Sequence, residues 1–172
     1  MADCAAVSSA RRRARTEPLV RRSSVHGLGT FATRPYRAGR RVIEYTGERI
    51  DEVEVERRYA DEVDDPHTFL FQIGRRMSID ASVGGNAARY INHSCEPNCE
   101  ARQVGQRVFI VALRPIARGE ELTYDYQLQI ERSASAARRR TYQCHCGAVE
   151  CRGTMLADGP RDRKRRKRPR TV

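Results

Sequence analysis

The chain has 172 residues, 39% of them hydrophobic, and a net charge of +11. That length suits one domain with one core. The apolar fraction excludes a wholly disordered chain, and no run approaches the ~20 consecutive apolar residues that span a bilayer. The charge is unevenly placed: residues 1–23 carry 6 basic and 2 acidic side chains, residues 24–131 carry 14 and 17, and residues 132–172 carry 13 and 3. The basicity therefore belongs to the flanks. The slightly acidic middle suits a basic peptide partner better than a phosphate backbone.

Residues 1–18 read as a disordered basic arm. The stretch MADCAAVSSARRRAR turns basic before any apolar run develops, so it is unlike a secretory leader and places the chain inside the cell. From Leu19 to Ile50 the pattern is one of short strands joined by turns, punctuated by Gly27, Gly29, Gly39 and Gly47. Residues 51–65 read as a short charged helix in which Glu54 is placed to pair with Arg58, and Pro66 ends it. Residues 69–80 suggest two strands around a turn at Gly74. Arg102 to Leu113 suggests a hairpin turning at Gly105, with VFIVAL as a buried strand. ELTYDY, residues 121–126, is a short strand or the edge of one. A Ser/Ala/Arg linker at 131–141 leads to a compact cysteine segment at 142–157. Residues 158–172, with RDRKRRKRPR, read as a disordered basic tail that suits a nuclear localisation signal, nonspecific nucleic-acid contact or plain solvated charge alike. The fold class is mainly β, with several small sheets and few short helices.

Four features carry chemistry. Cys144, Cys146 and Cys151 place three thiols within eight positions, and clustered cysteines without a secretion signal favour metal over disulfides. Zinc takes four ligands in a tetrahedron, so a fourth comes from elsewhere, with Cys95 and Cys99 as candidates and His145 a weaker one. His26-Gly27-Leu28-Gly29 is a loop whose two glycines let backbone pass close to a ligand. Arg89 to Cys99, RYINHSCEPNC, is too polar for a core strand. Tyr124 and Tyr126 lie two residues apart, on one face of a strand.

Taken together, GLGTFA, EYTGE, NAARYINHSCEPNCEA, GEELTYDY and CHCGAVECRG resemble, in order, a SET domain (19–130) followed by a post-SET zinc segment (142–157). The core is most similar to the trithorax type, without a pre-SET domain. The resemblance implies a SET fold with a pseudoknot and a zinc-bound post-SET cap. It implies a protein-lysine methyltransferase that uses S-adenosylmethionine. His26, Gly27, Leu28, Gly29, Asn92, His93 and Phe69 would line the cofactor site, Phe69 standing where many members have tyrosine. Cys95, Cys144, Cys146 and Cys151 would hold zinc, leaving Cys99 free and buried. Tyr126 matches the catalytic tyrosine. Tyr124 matches a Phe-or-Tyr position at which tyrosine crowds the lysine channel, so monomethylation is the expected main outcome.

A basic protein such as a histone tail is the implied substrate. The implied location is the nucleus or chromosome in a eukaryote and the cytoplasm in a bacterium. Two other readings fit the same motifs: a noncatalytic scaffold that binds zinc and nucleic acid, and a methyltransferase of a non-histone bacterial protein.

Overall fold

A computed structural model of the chain describes residues 17–60, 69–131 and 133–157. Most of the basic arm, the basic tail and Pro66 lie outside these residues. In chain order the elements are β1 (Leu19–Arg22), β2 (Leu28–Phe31), β3 (Arg41–Tyr45), β4 (Glu48–Asp51), α1 (Glu52–Tyr59), β5 (Leu70–Gln72) and β6 (Met77–Asp80). A 3-10 helix at Ala87–Tyr90 follows, then β7 (Asn92–His93), β8 (Cys99–Val104), β9 (Arg107–Ala112), β10 (Thr123–Tyr124) and α2 (Ala136–Arg140). The strands form three small sheets, ordered β1-β2, β3-β9-β8-β10-β7 and β4-β6-β5. The fold is mainly β, as the sequence implied. No helix among the described residues is long and apolar enough to cross a membrane.

The core is built on β9. It is hydrogen-bonded to β3 on one side and β8 on the other, which explains the unbroken apolar run VFIVA. Val108 and Ile110 are fully buried, together with Ile91, Ile116 and Leu122. Both expected hairpins form, and their turn glycines sit at positive φ, Gly74 at +114° and Gly105 at +60°. Leu113, expected at the end of the buried strand, lies just past it and is 47% exposed.

Helix α1 starts at Asp51, whose carboxylate accepts the Glu54 backbone N–H at 2.9 Å, the usual cap for an orphan donor. The expected Glu54–Arg58 pair forms at 2.6 Å, and Arg58 continues to the buried carboxylate of Asp80 at 2.8 Å. This fastens a helix with no buried residue onto the β4-β6-β5 sheet. The expected 131–141 linker holds a helix, α2. Ala and Arg are strong helix formers, and Ser135 caps it by accepting the Arg138 N–H at 3.1 Å.

One crossing organises everything downstream. Strand β10 pairs in parallel with β7, Thr123 opposite Asn92 and Tyr124 opposite His93, and also with β8, Tyr124 opposite Cys99. The two segments that a pseudoknot would bring across one another, 92–99 and 121–126, are thus neighbours in one sheet. Asn98 pins them further. Its amide donates to the Glu121 carbonyl at 2.7 Å and its side-chain oxygen accepts Thr123 N–H at 2.9 Å.

Candidate active site and metal centre

The loop between β1 and β2 is shaped by Ser23 and two glycines. Ser23 Oγ accepts the Val25 N–H at 2.8 Å, and Gly27 adopts φ +45°, a conformation that glycine tolerates best. Gly29 is needed for a different reason. A Cβ there would lie 2.2 Å from Glu121 Oε1 and 2.9 Å from Ser23 Cβ. Glu121 fills the space beneath the loop, accepting from Ser23 Oγ at 2.7 Å and Asn92 Nδ2 at 2.9 Å. Asn92 Nδ2 also donates to the carbonyls of His26 at 3.2 Å and Leu28 at 3.0 Å. The structure therefore brings His26, Leu28, Gly29 and Asn92 together on a carboxylate floor. The Asn92 amide is engaged by these carbonyls and by Glu121, and the loop carbonyls, each with a second lone pair, suit the amino group of an amino-acid moiety.

Behind this loop stand the aromatic residues. Tyr124 and Tyr126 face each other with ring centroids 4.8 Å apart, and Phe71 lies 6.4 Å from Tyr124. Tyr45 stacks on Phe71 at 5.3 Å. The Tyr126 hydroxyl donates to the Ile91 carbonyl at 2.7 Å, so it hangs from the residue before Asn92. Burial raises the pKa of Tyr126; burial, then the neighbouring phenols Tyr126 and Tyr45, raises that of Tyr124. Both remain neutral hydroxyls at physiological pH. Phe69 joins through its carbonyl, which accepts the Tyr45 hydroxyl at 3.0 Å. Its ring packs edge-on against Tyr90 at 5.8 Å.

His93 is spent inside the protein. Its side chain is almost wholly buried, Nδ1 accepts the Tyr126 backbone N–H at 3.2 Å, and Nε2 lies 3.4 Å from Cys95 Sγ. Burial holds its pKa down to about 4 against the pull of Asp125. The neutral ring therefore carries its proton on Nε2, facing the sulfur. Whatever His93 offers a cofactor must come from its main chain.

The four expected cysteines converge. The ligand atoms of Cys95, Cys144, Cys146 and Cys151 all lie within 4.8 Å of one another. Zinc–sulfur bonds of about 2.3 Å in a tetrahedron put sulfurs roughly 3.8 Å apart. The observed separations are 3.8 Å for Cys95–Cys144, 3.9 Å for Cys95–Cys151 and 3.7 Å for Cys146–Cys151. Each sulfur also accepts at least one backbone N–H: Arg152 to Cys95 at 3.3 Å, Cys146 to Cys144 at 3.4 Å, Cys95 to Cys146 at 3.5 Å and Gly153 to Cys151 at 3.4 Å. Such donors stabilise thiolates, and the group fits a zinc ion. At Cys146 burial raises the pKa, but the N–H groups of Cys95 and Ala148 and the thiols of Cys144 and Cys151 outweigh it and lower it, whereas burial raises the thiols of Cys95 and Cys144. His145 is exposed and outside the set. Cys99 is fully buried on β8, and burial pushes its thiol up to about 12.

Sequence reasoning missed the residues that join these parts. Arg152 clasps Asp125 with two hydrogen bonds, 2.5 and 2.6 Å. Asp125 lies between the two tyrosines in sequence, and Arg152 directly follows a cysteine of the cluster. Glu121 was passed over in the same way, because its partners lie 98 and 29 residues away. The only sequence-level hint was an Arg attached to a cysteine cluster and acids embedded in a tyrosine motif.

With this geometry in place, the chain's relationships are plain: it belongs to the SET domain family, whose match runs over residues 27–127. It is similar to the human protein histone-lysine N-methyltransferase 2B, 44% identical over 140 residues, which cover 77% of this chain and 5% of that protein. It is 41% identical to histone-lysine N-methyltransferase trithorax of Drosophila virilis over 137 residues, covering 76% of this chain and 3% of that protein. Histone-lysine N-methyltransferase ATX2 of Arabidopsis thaliana is 40% identical over 141 residues, covering 78% of this chain and 12% of that protein. The chain thus spans a small fraction of these relatives' length.

Proposed function

We propose that this chain is a protein-lysine N-methyltransferase that moves a methyl group from S-adenosylmethionine to a lysine of a basic protein, chiefly making monomethyl-lysine. The observation that carries this reading is the facing pair Tyr124 and Tyr126, with the Tyr126 hydroxyl bonded to the Ile91 carbonyl directly before Asn92. The relatives' names support lysine as the target residue.

S-adenosylmethionine supplies a methyl group on a sulfonium, whose positive charge is lost when the methyl leaves. The loop carbonyls of His26 and Leu28, with the Asn92 amide, would hold its methionyl end, and Gly27 and Gly29 allow the close approach. The main chain at His93 would continue the same wall. Phe69 would add apolar contact without the hydroxyl that a tyrosine gives.

The chain's own residues then act on the lysine. Tyr45, Phe71, Tyr124 and Tyr126 make an aromatic surround of low polarity, which disfavours the ammonium and favours the neutral amine. The ammonium gives its proton to solvent water before the amine is aligned. The Tyr126 oxygen, its own proton directed to Ile91 O, keeps a lone pair to orient an amine N–H. Rate enhancement comes from alignment and fixed dipoles. The Tyr124 hydroxyl occupies space that a second methyl would need. A zinc ion in the four-cysteine group would fix residues 142–157 beside this surround.

The substrate fits a basic tail, since residues 24–131 carry 17 acidic against 14 basic side chains. Such a role belongs to chromatin in a eukaryotic cell and to the cytoplasm in a bacterial one. The test incubates the full zinc-loaded chain with labelled S-adenosylmethionine and a mixture of core histones and basic bacterial proteins. Label on lysine that is absent with Tyr126→Phe supports the enzyme. Absence of both label and cofactor binding overturns it and leaves a scaffold.

A further inference from the structure

The 14 basic and 17 acidic side chains of residues 24–131 are segregated. Residues 31–43 and 112–119 hold six of the arginines and no carboxylate, which leaves 8 basic against 17 acidic over the rest. The two stretches share a short pattern, Arg34-Pro35-Tyr36-Arg37-Ala38-Gly39 and Arg114-Pro115-Ile116-Ala117-Arg118-Gly119. They share a shape as well. Each leaves a strand, β2 or β9, and turns on a glycine at positive φ, Gly39 at +76° and Gly119 at +85°.

The two loops lie side by side and antiparallel. Tyr36 and Ile116 exchange both backbone hydrogen bonds at 2.9 Å. Ala32 N–H closes a rung to the Glu120 carbonyl at 2.9 Å on one side, and Ala112 N–H closes one to the Arg40 carbonyl at 3.0 Å on the other. Tyr36 and Ile116 are buried, whereas Arg34, Arg37, Arg40, Arg114 and Arg118 are all exposed. A cleft lined by Pro35, Arg37, Pro115 and Ala117 runs between the loops. The register sets Arg34 level with Arg118, each two residues from the rungs on either side. Like charges held level on neighbouring strands are destabilising. An anion lying across both removes that cost, and guanidinium groups grip phosphate in two-pronged fashion.

The carboxylate at the end of the second loop is already engaged. Glu120 accepts the Ala117 N–H at 2.9 Å and the Asn98 amide at 3.0 Å, and it pairs with Arg114 at 2.7 Å. The phosphate-facing set is therefore Arg34, Arg37, Arg40 and Arg118. These groups are strung out rather than gathered. Arg34 to Arg40 is at most about 20 Å of chain, and a duplex carries one phosphate per roughly 3.4 Å along each strand. A single small anion would meet one or two of the four, whereas a repeating polyanion meets all of them. We propose that the paired loops, residues 33–41 and 112–119, dock the phosphate backbone of duplex DNA. Phosphate contacts position a duplex without reading its sequence, and neither loop holds a helix that could enter a groove. These arginines belong to the folded body and not to the basic flanks.

The experiment uses the full zinc-loaded chain and a fluorescent duplex of about 20 base pairs, titrated between roughly 50 and 200 mM salt. Wild type is compared with Arg34→Gln/Arg37→Gln/Arg40→Gln/Arg118→Gln. The control variant, Arg49→Gln/Arg75→Gln/Arg76→Gln/Arg102→Gln, removes the same charge from exposed arginines of other elements. The flanks are identical in all three, so their contribution cancels. The slope of log K against log salt should fall by about 3.6 in the first variant, at about 0.9 per phosphate contact, and by less than about 1 in the control. Hydrogen exchange on the wild type should show residues 33–41 and 112–119 protected when the duplex is added, a readout that needs no variant to fold. An unchanged slope, an equal fall in the control, or no protection of these loops overturns the inference. Tighter binding to polyglutamate or to phosphatidylserine vesicles, lost in the first variant, also overturns it and assigns the face to an acidic protein or a membrane. Methyl transfer is not measured, so failure here leaves the enzyme reading intact.

Discussion

Arg152 and Asp125 form a two-pronged ion pair, at 2.5 and 2.6 Å, between the cysteine segment and the tyrosine-bearing segment that follows β10. Arg152 also gives its backbone N–H to Cys95 Sγ at 3.3 Å, so one residue touches both the four-cysteine group and the segment of Tyr124 and Tyr126. At Asp125 burial alone would raise the pKa, but the Arg152 guanidinium and the Gln127 amide hold the carboxyl below its ordinary value. Its charge is secure at neutral pH.

Replacing Arg152 by alanine strands a partly buried carboxylate. The expected loss is about 3 kcal/mol of local stability, with zinc content unchanged. Hydrogen exchange should show faster opening of residues 142–157, and the KM for a peptide substrate should rise. Arg152→Lys, which cannot make both contacts, should recover only part of this.

Removing the metal group should act on the same segment more severely. Cys144→Ser, or chelation of the wild type, is expected to reduce bound zinc from one ion per chain to none. Protection of residues 142–157 should disappear, while the β3-β9-β8 core keeps its own. Elemental analysis with hydrogen exchange checks both statements.

Gly29→Ala drives a methyl group into the Glu121 carboxylate. Overpacking of this kind costs about 1–3 kcal/mol, and affinity for S-adenosylmethionine should fall with it. Shortening the obstacle should relieve the clash. In the Gly29→Ala/Glu121→Ala double variant, the loss should therefore be smaller than the sum of the single losses. Calorimetric titration of the cofactor, run with thermal melts, measures each corner of the cycle.

Tyr124→Phe removes a hydroxyl without removing the ring. The expected effect is a shift of product from monomethyl toward dimethyl and trimethyl lysine, with the first methyl transfer within about tenfold of wild type. Mass spectrometry of a peptide product over time reads this directly, and an unchanged monomethyl product would sink the crowding argument.

Acid should act through Asp80. Burial raises its pKa, but Ser82, Arg58 and Tyr59 more than offset this, and the carboxyl titrates below its ordinary value. The unfolded chain therefore binds this proton more readily than the folded one. The pair's stabilisation is complete above the unfolded value of about 3.9 and is lost as pH falls through the lower folded value. Asp80→Asn should cost about 3 kcal/mol at pH 7 and flatten the decline below pH 4 in denaturant titrations.

The parts legible in the sequence were those written in short-range pattern. The turns at Gly74 and Gly105, the apolar run of β9 and the Glu54–Arg58 pair depend on neighbours within a few positions. The convergence of four cysteines was legible through three clustered thiols and the motif resemblance. The floor of the loop was not, because Glu121 meets Ser23 across 98 residues, and no local period encodes such a meeting. Helix α2 was hidden by composition, since AARRR has no apolar face and was read as a linker. The orientation of Phe69, whose ring packs edge-on against Tyr90, is set by tertiary packing that no local pattern encodes.

Cys95 lies 49 residues from Cys144 and 56 from Cys151. A metal held by all three is a reversible cross-link closing a long loop, and the entropy of closure grows only slowly with that length. The closed form is then stabilised in step with the logarithm of free metal concentration. A cell's zinc supply, as much as the amount of protein it makes, would set how many copies are assembled at any moment.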